Sequence, residues 1–264
     1  MDIKLPKVIV TSVVRGSQQG ESHGGVFTVD FESQTSDQVI DWNTGEIDFT
    51  GRGADRGLRG IAFDNDDIYI AASDELFCYS QNFEIEPLRD VILGLDERAW
   101  ESQTHRQNEY AVHQQTQFVV MVFTSGEGWP NIEVAREDGW DLLAETAIPL
   151  MYGILDEFYP KGGSIIRAMA AKLPAGNTIK PHLDKHPSFH AGHRIHVPIT
   201  TNHRVRFMID GRPYQLEVGK AYELNNQKNH SVMNKGREDR ITFIFDYVPP
   251  DRIDRAAQPE WSHF

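Results

Sequence analysis

The stretch from Pro181 to Asp246 opens on PHLDKH, closes on NHSVMNKGREDRITFIFD, and carries a succession of short β-like runs between. His182 and Asp184 are two residues apart, so a β-strand would project both to one side, where they can grip one ion without distorting the backbone. The next candidate ligand, His230, must come from another strand, and Arg240 follows ten residues after it at the head of RITFIFDYV. Two imidazoles and one carboxylate can occupy one face of an octahedral Fe(II) and leave three positions open for a bidentate acid and O2. A chain spaced in this way has to bring distant strands side by side. The runs HRIHVPITT, RVRFMID, RPYQLEV, AYELNN, HSVMN and RITFIFDYV supply them. Asp210-Gly211 signals a type I′ hairpin, Gly219 and Gly236 mark further turns, and so many short antiparallel strands suit a jelly-roll barrel with its ligand at the mouth.

These residues carry a resemblance. HxD, a distant histidine and an arginine ten residues beyond it resemble the Fe(II)/2-oxoglutarate oxygenases. Within them HRIHVPITTN and HSVMNKGREDRITFIFDYVPP resemble the aspartyl/asparaginyl β-hydroxylase branch, over roughly residues 93–250. The resemblance implies that His182, Asp184 and His230 are the iron ligands and that Arg240 meets the distal carboxylate of 2-oxoglutarate. Arg194 and His196 match an RxH pair that contacts this cosubstrate. It further implies hydroxylation, with O2, of a C–H bond in an aspartyl- or asparaginyl-type residue of a peptide or protein, or in a free amino acid such as proline. Two departures stand out. The best-known animal members have glycine where this chain has Asp184, so the ordinary triad of bacterial relatives is the better match, and Ala171 stands near a position that those members fill with serine. The competing reading is a non-catalytic or sugar-modifying cupin-like metal-binding module on the same barrel. A module that binds no diacid would have no use for Arg240 and Arg194 inside it.

The expected architecture is mainly β with flanking helices: a β-rich segment over 1–90, a double-stranded β-helix core over 91–250, and a tail over 251–264. In the first segment VIVTSVV, GGVFTVDF, QVIDWN, RGIAF, DIYIAA and ELFCYS read as strands of hairpins and meanders. Val26–Val29 recurs as Leu76–Tyr79, and RGLRGIAFDNDDIYIAASDELFCYS resembles a β-propeller blade, although about ninety residues are too few to close a propeller. The acidic stretch from Asp64 to Asp67 lacks the glycine and the distal glutamate of an EF-hand and reads as a hairpin turn. Further on, LGLDERAWESQTHRQNEY is helix-forming and QTQFVVMVF is a strand. Residues 138–158 form an amphipathic helix that should end or kink at Pro149, and SIIRAMAAKLPAG is a strand and turn leading into the first ligand strand.

Charge bears on partners. The net charge is −13, which argues against general nucleic-acid binding, yet the stretch from Lys180 to Arg240 carries 11 Lys/Arg against 6 Asp/Glu. Positive charge therefore gathers around the candidate site and would draw an anionic cosubstrate or substrate. Cys78 is the single cysteine, no twenty-residue apolar run is present, and MDIKLPKVIVTSVV has no small-residue cleavage site after it. These features fit a reducing cytoplasm with no membrane span and leave the oligomeric state open. Of the remaining histidines, 186, 190 and 193 read as surface or substrate-facing loop residues and His203 as an exposed turn residue. Asn225, Asn226 and Asn229 read as hairpin residues, and Trp42, Trp100, Trp129, Trp140 and Trp261 as core anchors.

Overall fold

The computed structural model describes residues 8–14, 23–30, 35–41, 60–64, 67–71, 76–79, 82–101 and 115–264. The chain divides into two units, Met1–Phe77 and Cys78–Phe264. In the first, β1 (Val8–Val14), β2 (His23–Asp30) and β3 (Thr35–Asp41) form an antiparallel meander, and β4 (Gly60–Asp64) and β5 (Asp67–Ala71) form a hairpin. The β-branched and aromatic runs of the sequence are these strands. Asp64 and Asp67 are register partners, so the acidic stretch closes a hairpin; Asn65 and Asp66, like Trp42 and residues 102–114, lie outside the described residues. A three-stranded sheet and a separate strand pair give the propeller-blade likeness no support.

Two antiparallel sheets make up the rest. The larger has the order β6-β14-β11-β16-β9-β7-β8, with the unit boundary falling inside β6 (Leu76–Cys78). Its other strands are β7 (Gln117–Gly128), β8 (Asn131–Arg136), β9 (Ser164–Leu173), β11 (His193–Thr200), β14 (Tyr222–Leu224) and β16 (Arg240–Val248). The smaller has the order β10-β15-β12-β13, from Thr178–His182, His230–Asn234, Val205–Ile209 and Arg212–Tyr214 respectively. β12 and β13 meet in the expected type I′ turn, with Asp210 at φ 49° and Gly211 at φ 84° between the paired Ile209 and Arg212. Together the facing sheets are the double-stranded β-helix that the strand pattern implies.

β9 is buried at all ten positions, because both of its edges and both of its faces are covered. Helix α1 (Glu86–Gly94) is followed by the short α2 (Glu97–Glu101), and the long helix α3 (Trp140–Phe158) packs against α1 and β7. Its apolar stripe is Leu143, Ala147, Leu150, Met151, Ile154 and Leu155. The expected break at Pro149 is not there: α3 runs through it. Pro149 and Glu145 are exposed, so water can satisfy the carbonyl that the proline leaves unbonded, and packing of the stripe outweighs the lost hydrogen bond. Among the described residues no helix is long and apolar enough to cross a membrane.

The opposite face of the large sheet looks toward the small one. There His196 of β11 meets Phe207 of β12 edge-on at 5.8 Å between ring centroids, and the Arg240 guanidinium of β16 lies 5.9 Å from the same ring.

Two glycines test this packing in opposite directions. Gly163 donates its N–H to the Tyr247 hydroxyl at 3.1 Å, and a Cβ there would run into that ring and Val248 O. Gly153 is exposed in α3 with open space around it. Gly163→Ala should cost about 2 kcal/mol or more by overpacking, whereas Gly153→Ala should gain about 0.5–1 kcal/mol of helix propensity. Denaturant unfolding of both variants checks the pair.

Candidate metal centre

His182 ends β10 and His230 begins β15, and the antiparallel register sets them opposite each other with ring centroids 4.3 Å apart. The two side chains are oriented by the same device. His182 Nδ1 lies 2.8 Å from Lys180 O, and His230 Nδ1 lies 3.0 Å from Lys228 O. A carbonyl can only accept, so each Nδ1 carries a proton and Nε2 is the ring nitrogen left to serve as a ligand.

Asp184 is not on the strand that the HxD spacing suggested. β10 stops at His182 after a register irregularity, and Asp184 stands two residues beyond it. The loop between β14 and β15 holds it: Asp184 N–H donates to Asn226 O at 3.2 Å, and Gln227 Nε2 donates to Asp184 O at 2.8 Å. Asn225 and Asn226 are accordingly buried and do more than turn the chain, while Asn229 is exposed. Asp184 Oδ1 lies 3.9 Å from His182 Nε2, and one ligand atom from each of the three residues falls within 4.8 Å of the others.

The electrostatics suit a cation. Burial resists ionisation of Asp184, but Arg194 and the two imidazoles outweigh it and hold its pKa below the ordinary carboxylate value. Burial pushes His230 down to about 4, with Asp184 acting against the shift, so its imidazole is neutral near pH 7 and ready to ligate. Two imidazoles and one ionised carboxylate are the donor set of a non-haem Fe(II) site.

Unmatched polar groups lie on the neighbouring wall. Arg240 is 4% exposed and its Nη2 has no hydrogen-bond partner. Burial lowers its pKa to about 10, which leaves it charged at neutral pH. Two residues along the same strand, the Thr242 hydroxyl is fully buried and also unpartnered. His196 is 5% exposed with neither ring nitrogen bonded, and burial with the nearby Arg194 and Arg240 charges keeps it neutral. Ala171 is the register partner of Thr242 and belongs to an apolar cluster with Phe118, Val120 and Met169.

Arg194 is placed differently. Its Nε and Nη2 donate to Asp246 Oδ1 and Oδ2 at 2.8 and 2.9 Å, and its Nη1 donates to Asp184 Oδ2 at 3.0 Å. Arg167 Nη1 reaches the same Asp246 at 3.2 Å. Sequence reasoning missed Arg167 and Asp246, although each is a charge set among apolar neighbours in its strand, which in a buried sheet demands a partner.

The other histidines divide. His190 and His203 are exposed and His186 is half-buried. His193 corrects the expectation of a loop residue: it opens β11, is 4% exposed and bonds Glu223 at 2.9 Å, an acid that also accepts from Tyr159 at 2.6 Å. Of the described tryptophans Trp100 is a core residue; Trp140 and Trp261 are half-buried and share the Arg136 guanidinium, and Trp129 is half-buried as well.

The profile of the family described as Aspartyl/Asparaginyl beta-hydroxylase matches residues 89–250. The chain belongs to that family. No curated protein matches it. Among solved structures it is similar to a 2OG-Fe(II) oxygenase family oxidoreductase from Burkholderia pseudomallei, at 13% identity and a TM-score of 0.39, over 50% of this chain and 66% of that one. It is also similar to the non-heme monooxygenase ThoJ in its nickel complex, at 12% identity and a TM-score of 0.43, over 67% and 74% of the two chains. A cupin domain from Bordetella pertussis Tohama I is similar at 16% identity and a TM-score of 0.26, over 33% of this chain and 94% of that one.

His182→Ala and His230→Ala should each abolish stoichiometric Fe(II) binding in an anaerobic titration while leaving the circular dichroism unchanged. Unaltered affinity in both variants contradicts the ligand assignment.

Proposed function

We propose that this hydroxylase-family protein is an Fe(II)- and 2-oxoglutarate-dependent dioxygenase, with His182, Asp184 and His230 as metal ligands. The observation that carries the reading is Arg240: a buried, charged guanidinium with an unbonded nitrogen, on the wall beside a two-histidine, one-carboxylate cluster. Bound there, Fe(II) with 2-oxoglutarate and O2 would supply the oxidising power for hydroxylating a C–H bond, leaving succinate and CO2.

The chain's own groups do the holding. Arg240 takes the distal carboxylate in two parallel charge-assisted hydrogen bonds, and the Thr242 hydroxyl donates a third. Thr242 faces Ala171 across the strand pair, so it can supply the hydroxyl that the serine of other family members would offer. His196 and the two N–H bonds that Arg194 has left would be the groups that meet the 2-oxoacid end of the cosubstrate. Apolar neighbours such as Phe207, Met169 and Ile244 keep water from competing for these bonds.

The substrate is an amino-acid unit, either free as with proline or within a peptide as an Asp or Asn residue, drawn by the positive field of the site. A cupin-like binding module on the same barrel would leave Arg240 without a purpose. The reading is tested by incubating the full-length protein with Fe(II), ascorbate, 2-oxoglutarate and O2: an oxygenase releases succinate even without substrate, and a binding module releases none.

Arg240→Lys keeps the charge and loses the fork. A lost charge-assisted bond of about 1.5–3 kcal/mol should raise the 2-oxoglutarate KM roughly ten- to hundredfold. A KM at the wild-type value would place the clamp elsewhere, with Arg204 and Arg206 as the next candidates.

A further inference from the structure

We infer that Arg194, anchored by Asp246, is a positioning residue that holds Asp184 to the metal through a single oxygen. The inference rests on the metal reading above and assigns a role that the cosubstrate contact does not cover.

Asp184 has no strand to orient it. Its backbone is tied to Asn226 and Gln227, and Asn226 also hydrogen-bonds its carboxylate, but the side chain projects from a loop with no strand to fix its rotation. Arg194 removes that freedom. Asp246 grips one edge of the guanidinium at both Nε and Nη2, which fixes the plane of the fork, and the remaining nitrogen donates to Asp184 Oδ2 at 3.0 Å. With Oδ2 engaged by a cation, Oδ1 is the oxygen left on the side of His182 Nε2. A carboxylate that bound through both oxygens would take two coordination positions and leave two open. One oxygen leaves three, the number that a bidentate 2-oxoacid and O2 together require.

The anchor is itself immobile. Arg194, Asp246 and Arg167 are register partners across β11, β16 and β9, so the ladder sets them in one row. Arg167 bonds the Asp246 oxygen that also accepts from Arg194 Nη2, and the side chains of Arg167 and Asp246 are 4% and 3% exposed. Two guanidiniums against one carboxylate leave one positive charge over, and Asp184 is the carboxylate that balances it. Phe189, five residues beyond Asp184 in the short helix α4 (Ser188–Ala191), covers both cations, its ring centroid 4.3 Å from the guanidinium carbon of Arg194 and 4.6 Å from that of Arg167. The segment from Asp184 to Phe189 is thereby fastened to this cluster at both ends.

The test is a thermodynamic cycle in Co(II) affinity on the full-length protein, measured by anaerobic calorimetry, with the visible absorption of bound Co(II) as a second readout. Arg194→Lys should weaken Co(II) binding roughly ten- to hundredfold and alter the Co(II) spectrum. In an Asp184→Ala background the same substitution should change affinity less than about twofold and leave the spectrum alone, because the group on which Arg194 acts is gone. Equal losses in both backgrounds, or wild-type affinity and spectrum in Arg194→Lys, would overturn the inference while leaving the metal site standing. A wild-type protein that takes up no Co(II) overturns both. If Arg194→Lys fails to fold, Asp246→Glu carries the same test, since it keeps the anchoring charge and displaces the fork by one methylene. It should reproduce the spectral change, and an unaltered spectrum overturns the inference.

Discussion

A guanidinium buried at the head of β16, with no carboxylate among the described residues to answer it, is the constraint on which the rest of the site depends. An uncompensated buried cation is expensive, and chains retain one where a partner arrives to complete it. The other cations on this wall are already answered: Arg194 by two carboxylates and Arg167 by one. Arg240 is set apart by that contrast. On the function proposed above, Arg240 would take the far carboxylate of a molecule whose other end reaches the metal held by His182, Asp184 and His230.

The fold serves this by dividing the labour between its sheets. The small sheet brings two histidines together by strand register and aims each with a main-chain carbonyl two residues before it. The large sheet sets charged groups in cross-strand rows, with Arg194, Asp246 and Arg167 in one and Arg240 beside Leu173 in another, while its opposite face packs the apolar core. The third ligand comes from neither sheet. A carboxylate on a loop can be oriented by side chains in a way that one locked into a ladder cannot, and this freedom is what Arg194 takes up.

Much of this was legible in the sequence, for a definite reason. Strand runs follow from period-two patterning and turn residues, and most of those from VIVTSVV to RITFIFDYV appear as strands within a residue or two; the strand at QVIDWN starts three residues earlier, at Thr35, that of QTQFVVMVF runs on to Gly128, and RPYQLEV and AYELNN shorten to Arg212–Tyr214 and Tyr222–Leu224. Ligand types at characteristic spacing pointed to His182, Asp184 and His230, which the fold brings together. Failures came where a distant partner decided the outcome. His193 reads as loop until Glu223, thirty residues away, buries it. Pro149 reads as a break until the stripe on either side is packed. HxD reads as strand alternation, but the ladder stops at its first residue. Arg167 and Asp246 became a pair only through a register that links residues 79 apart in sequence.

The most direct test is on the ligand side: anaerobic calorimetry of the metal-loaded protein with 2-oxoglutarate and with 2-oxobutanoate, which keeps the metal-chelating 2-oxoacid but lacks the distal carboxylate. If Arg240 awaits that carboxylate, 2-oxoglutarate should bind at least roughly tenfold tighter, the equivalent of one charge-assisted hydrogen bond or more. Equal affinity for the two acids, or binding of neither, would contradict the account.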